Sequence, residues 1–92
     1  MTQIERIKYF ECLLDRTSAA AERFEAALKE FEAVQPLAAE LAAYYGSKKW
    51  RRDFEDDEAG KFPENLKRGV LSEDAVYDAL AENDRLCSMI SK

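Results

Sequence analysis

Four positions spaced by seven, Phe10, Thr17, Phe24 and Phe31, constrain this chain more than anything else in it. Leu13, Ala20, Ala27 and Val34 sit three residues after each. Leu14, Ala21 and Leu28 widen the stripe. An apolar stripe with this period is an amphipathic helix of bundle or coiled-coil type, and a strand cannot carry it. The opposite face carries Glu11, Asp15, Glu22, Glu25, Lys29 and Glu32. Ala19, Ala20 and Ala21 form a small patch that lets a neighbouring helix come close. Thr2 with Glu5 three residues on fits a capping box that opens the helix.

Pro36 is the first break signal, and the helix is expected to end or kink near Val34 or Gln35. Residues 3 to 34 at ~1.5 Å each make a rod of roughly 48 Å. A compact domain of 92 residues has a diameter of about 32 Å. A straight first helix therefore points to an elongated bundle, to a bend, or to self-association.

The remaining elements follow from their stop and start signals. A second helix is expected from Pro36, with Leu37, Leu41 and Tyr44 or Tyr45 on its apolar face, ending at Gly46. Ser47 caps a third, from about Lys48 to Glu58, with Trp50 and Phe54 turned inward. Gly60 ends it, Phe62 makes the contact after the cap, and Pro63 prevents continuation. A short turn is expected at Asn65 to Lys67. Ser72 opens the last helix, with Leu71 and Val76 as a hydrophobic staple. Val76, Leu80, Leu86, Cys87 and Ile90 give its buried face, with Tyr77 beside it. The fold class is all-α: an elongated bundle of about four helices, long first, two short, one C-terminal. Residues 1–92 are read as one domain, since a chain this short builds one modest core.

Composition excludes several classes of function. The net charge of -5 argues against nucleic-acid binding, which needs a basic footprint, and against adsorption to an anionic membrane. The chain has no histidine, so the commonest general base and metal ligand is missing. Cys12 and Cys87 form no metal or redox spacing and read as reduced thiols of a cytoplasmic protein. No basic region followed by an apolar run opens the chain, and no run is long enough to span a membrane. Ser47 and Ser72 are better explained as helix caps than as nucleophiles. Catalytic, cofactor and metal residues are expected to be none. Asp53 to Glu58 fits no calcium loop.

The stretch from Tyr44 to Leu71 holds all three glycines, the tryptophan and the densest charge. Lys48, Lys49, Arg51 and Arg52 stand near the positive end of the third helix. Glu55, Asp56, Asp57 and Glu58 stand near the negative end. The macrodipole favours the reverse by ~0.3–1 kcal/mol per charge. Pairs four apart, Lys49–Asp53, Arg51–Glu55 and Arg52–Asp56, are expected to relieve part of this. A broken local rule beside aromatic residues marks a candidate interaction surface: Tyr45, Arg51, Arg52, Asp53, Asp57, Lys67 and Arg68. Its plain alternative is a solvated face with internal charge pairing.

The run Tyr44-Tyr45-Gly46-Ser47, with Trp50, Asp53 and Asp57-Glu58-Ala59-Gly60, resembles a bacterial family catalogued as domain of unknown function 4298. Leu66-Lys67-Arg68-Gly69-Val70-Leu71-Ser72-Glu73-Asp74-Ala75, with Tyr77-Asp78, carries the same resemblance. It covers nearly the whole chain, loosely in the first helix and closely from Tyr44 to Leu80. It implies a small bacterial, cytoplasmic, helical protein with no assigned activity and no catalytic residues to carry over. The expectation is a non-enzymatic protein–protein interaction module. Its partner is an unidentified protein or a second copy, with neither nucleic acid nor membrane. Two alternatives stand beside it. One is an acidic decoy for a nucleic-acid-binding partner; the other is a small-molecule site lined by Tyr44, Trp50, Asp53 and Tyr77.

Overall fold

The computed structural model describes residues 1–91. They form three α-helices, α1 (Gln3–Tyr44), α2 (Lys48–Glu58) and α3 (Glu73–Ile90), with a single 3-10 turn at Gly69–Leu71. No strand occurs among the described residues. The fold is all-α as expected, but with three helices rather than four.

The correction lies at Pro36, which sits inside α1 instead of ending it. The expected second helix is the last part of the first. Proline removes the N–H that would reach the Glu32 carbonyl, and its ring crowds that carbonyl. The residues that follow, from Leu37 to Ala43, are mostly alanine, leucine and glutamate, among the strongest helix formers, and they carry the helix past the gap. Gln35 donates from Nε2 to the Phe31 carbonyl at 3.1 Å, adding a side-chain bond beside the interrupted turn.

Pro36 is nevertheless a boundary of another kind. The chain divides into two compact units, Met1–Gln35 and the residues from Pro36 onward. The first unit is helix alone. Its start is the expected capping box: Glu5 N–H donates to Thr2 Oγ1 at 3.1 Å, and Thr2 N–H to Glu5 Oε1 at 3.3 Å. Hydrogen bonds to the carboxyl from the Thr2 hydroxyl, which contributes most, and from the Thr2 N–H hold Glu5 below its usual value. No residue of α1 is buried.

The second unit builds the core. Trp50, Leu71 and Val76 are buried there. Ser47 Oγ accepts from Trp50 N–H at 3.1 Å, which fixes the first turn of α2. Gly46, at φ 80°, makes the left-handed reversal that brings Ser47 into the capping position. At the other end, Lys61 N–H reaches the Asp56 carbonyl at 3.1 Å and Gly60 N–H the Asp57 carbonyl at 3.0 Å. That pair of bonds is a Schellman motif with Gly60, at φ 74°, in the left-handed position. Ser72 Oγ accepts from Ala75 N–H at 3.3 Å and opens α3. The staple residues Leu71 and Val76 are both in the core, as their spacing predicts. The connection turns at Pro63–Leu66, where Leu66 N–H reaches the Pro63 carbonyl at 3.1 Å, and its one helical turn, expected at Asn65 to Lys67, forms at Gly69–Leu71. In α3, Leu80, Leu86 and Cys87 are half-buried, whereas Ile90, expected inside, is exposed. Leu37, also expected to face inward, is exposed.

Candidate interaction surface

The second unit is pinned by polar bonds between its elements. Trp50 Nε1 donates to the Val70 carbonyl at 3.0 Å, tying α2 to the 3-10 turn. Phe54 stacks on the Trp50 ring at 5.3 Å and 19°, four residues further along α2, and Tyr45 meets it edge-on at 5.3 Å and 77°. The Tyr45 hydroxyl donates to the Glu73 carbonyl at 3.4 Å, at the start of α3. Tyr45 is therefore a closing piece of the fold.

The acidic half of α2 is also committed. Tyr44 donates its hydroxyl proton to Asp53 Oδ2 at 2.5 Å. That bond, then partial burial, then the Asp53 charge push the phenol up to about 12. Asp57 accepts from Arg68 at 2.6 Å, and Arg68 also reaches the Glu64 carbonyl at 3.3 Å. Asp56 pairs with Lys61 at 3.3 Å. The expected pairs Lys49–Asp53, Arg51–Glu55 and Arg52–Asp56 do not form among the described residues. Asp53, Asp56 and Asp57 instead bond to Tyr44, Lys61 and Arg68, all outside α2. This also answers the reversed charge order. The last turn of α2 has no basic residue of its own. Lys61 and Arg68 come from beyond the helix and place positive charge there, where the macrodipole favours it.

Of the seven candidate residues, Tyr45, Asp53, Asp57 and Arg68 are thus half-buried and hydrogen-bonded within the fold. Arg51, Arg52 and Lys67 are exposed. Lys67 stands at the rim of two hollows. One, of about 300 Å³, is lined by Tyr44, Asp53, Phe62, Leu66 and Arg68 among others. The other, of about 370 Å³, is apolar, with Leu41, Val70, Val76 and Ala79 in its wall. Of the four residues suggested for a small-molecule site, Tyr44 and Asp53 share the first hollow. Trp50 is buried in the core and does not line it, and Tyr77 is 64% exposed. No group of three or more acidic or cysteine side chains among the described residues is placed to hold a metal ion. Cys12 is exposed, Cys87 is half-buried, and no disulfide joins them.

The first unit offers a different kind of surface. Ile7, Phe10, Leu14 and Phe24 are each more than half exposed along one face of α1. Ile7, Phe10 and Leu14 stand together, with Phe24 on the same line beyond Thr17 and Ala21, and such a group is unlike the single exposed leucines of any protein surface. The heptad spacing marked Phe10, Leu14 and Phe24 in the sequence as a stripe of bundle or coiled-coil type, and Ile7 extends it by one more step. Its exposure is what the sequence did not reveal. No described helix is long and apolar enough to cross a membrane.

No curated protein and no solved structure matches this chain. The model of the family described as "Domain of unknown function (DUF4298)" matches residues 7–92, nearly the whole length, and the chain belongs to that family.

Proposed function

We propose that the chain is a small protein–protein interaction module without enzymatic activity, working in the cytoplasm of a bacterium. The observation that carries this reading is the row Ile7, Phe10, Leu14 and Phe24, exposed along α1. An apolar face left in water costs free energy that a partner removes, at ~25 cal/mol per Å² covered. The exposed cations Arg51, Arg52 and Lys67 offer a second, polar contact zone, and arginine is enriched at interfaces. Two unbridged cysteines fit a reducing compartment. The test is capture of partners from lysate at low and high salt with three forms of the chain: wild type, Phe10→Ser/Phe24→Ser and Arg51→Glu/Arg52→Glu. A stoichiometric partner, or the chain itself, retained by wild type and lost by the first variant supports the apolar face. Loss by the second variant alone assigns the contact to the cations. Binding that neither variant changes, or none at all, removes the reading.

A second reading rests on the hollow beside Tyr44 and Asp53. At about 300 Å³ it stands at the lower end of the size range of small-molecule sites. Tyr44 and Asp53 already satisfy each other, so a ligand there must either displace that bond or bind to Lys67 at the rim. A screen that detects ligand protection of wild type but not of Lys67→Ala supports this reading, and an empty screen removes it.

A further inference from the structure

The apolar hollow of about 370 Å³ lies within the second unit, and three elements close around it. Leu41 comes from the last turn of α1, Gly69 and Val70 from the 3-10 turn, and Ala75, Val76 and Ala79 from α3. Ala75 and Ala79 are one helical turn apart and share a face. Val76 is buried beside them, whereas Gly69, Ala75 and Ala79 are exposed. Lys67 is the one charged residue in this wall.

The fold by itself accounts for neither Gly69 nor Lys67. Gly46 and Gly60 stand at φ 80° and 74°, where glycine is at ease and other residues are strained. Gly69 has no such angle, and a methyl group added there would meet nothing within 4 Å. The backbone therefore does not require glycine at 69, and glycine in a helical turn is less stable than alanine. What the missing side chain does is leave that edge of the hollow open. Lys67 differs from its neighbours on the connection between α2 and α3. Lys61 is paired with Asp56, and Arg68 with Asp57. Lys67 makes no ion pair or side-chain hydrogen bond among the described residues.

We propose that this hollow binds a small organic carboxylate. Its short aliphatic or aromatic body rests on Leu41, Val70 and Val76, and its carboxylate meets the Lys67 ammonium. Apolar walls with a single polar group are the usual make-up of small-molecule sites, and the volume falls at the lower end of their range. The charge of that group selects an anion. An inorganic anion would find one cation and no other donor side chain in the wall. An amine would meet a like charge. The inference goes beyond the interaction reading, which uses α1. It also concerns a different hollow from that of Tyr44 and Asp53, although Lys67 borders both.

The experiment is an amide-resolved NMR titration of the full chain with hexanoate, with hexanol and hexylamine as neutral and cationic counterparts. The expected result is saturable shifts centred on Gly69, Val70, Ala75 and Ala79, with a dissociation constant of about 1 mM for hexanoate. Hexanol should bind about fivefold more weakly, the usual worth of an exposed ion pair, and hexylamine more weakly still. Lys67→Ala should bring hexanoate to the level of hexanol. Ala79→Leu, at an exposed helical position, should fill the hollow and weaken hexanoate more than about tenfold while Trp50 fluorescence stays unchanged. Equal binding of the three probes, or a preference for hexanoate that survives Lys67→Ala, overturns the carboxylate as ligand class. Shifts centred on residues 7 to 24 overturn the site, since hexanoate would then only coat the exposed row of α1. Shifts centred on Tyr44 and Asp53 that ignore Ala79→Leu put the ligand in the other hollow, so that the second reading survives and this inference does not. Shifts at residues 69 to 79 that appear on concentrating the chain without any probe assign the hollow to a second copy and overturn the inference. So does the absence of saturable shifts at tens of millimolar hexanoate.

Discussion

Residues 1–35 and the residues from Pro36 onward solve the same problem in opposite ways. Both are helical, charged and rich in alanine and leucine. The first unit spends its aromatic and branched residues on one long face and buries none of them. The second gathers Trp50, Leu71 and Val76 from three short elements and covers them. The second has what the first lacks: chain reversals at Gly46 and Gly60 that return later elements to earlier ones. A helix cannot fold back on its own stripe. Periodicity alone yields a surface, and turns convert a surface into a core. Helical stability in water comes mostly from packing, so the first unit is the one that depends on something outside itself.

Trp50→Ala is the hardest blow to this contrast. It removes the largest core side chain and leaves the Val70 carbonyl without its donor at 3.0 Å. The expected loss is about 3–5 kcal/mol, enough to unfold a core this small. Site-resolved amide exchange during denaturant titration reads it. Protection should collapse in α2 and at the start of α3, while residues 3–34 keep theirs. If protection fell equally over both, the two units would be one cooperative body and the contrast would not hold.

Pro36→Ala sharpens the contrast from its boundary. Alanine restores an N–H for the Glu32 carbonyl and removes the ring crowding, so α1 should gain, up to about 3 kcal/mol locally. Exchange should slow over the turns on either side of residue 36. A fall in stability would mean that the proline is the better residue there, and that the division between the units has another origin.

Much of this was legible in the sequence, and what was not has physical reasons. The caps at Thr2, Ser47 and Ser72, the reversals at Gly46 and Gly60, and the Leu71–Val76 staple are local, so their residue types foretell them. Pro36 misled because the break rule weighs one proline and not the helix formers after it. The site was less legible. Ion pairs four apart within a helix are the pairs sequence spacing proposes. Asp53, Asp56 and Asp57 instead found Tyr44, Lys61 and Arg68. The Arg68–Asp57 bond spans the Gly60 reversal and a loop whose path no local rule gives. Exposure of the Phe10–Phe24 row was the least legible of all, since a stripe reads the same whether it meets its own chain or another.

The smallest expected effect tests whether the second unit's polar pins matter beside its apolar core. Tyr44→Phe removes the hydroxyl that bonds Asp53 and leaves the ring. Because the pair is half-exposed, the loss should be about 1 kcal/mol at neutral pH, below the usual value for a bond to a charged group. The pH dependence carries the sharper information. The phenol ordinarily ionises near 10.0 and is pushed up to about 12 in the folded chain. A folded value above the unfolded one means that the bond's contribution is fully present below pH 10 and is lost as pH rises through 12. The stability difference between wild type and variant should therefore hold from neutral pH to about 10 and shrink towards zero beyond it. Ultraviolet titration of wild type should show a late phenolate step near 12 that the variant lacks. A constant difference across that window would mean that the hydroxyl contributes through packing alone. The polar pins of the second unit would then carry less of its stability than the core formed by Trp50, Leu71 and Val76.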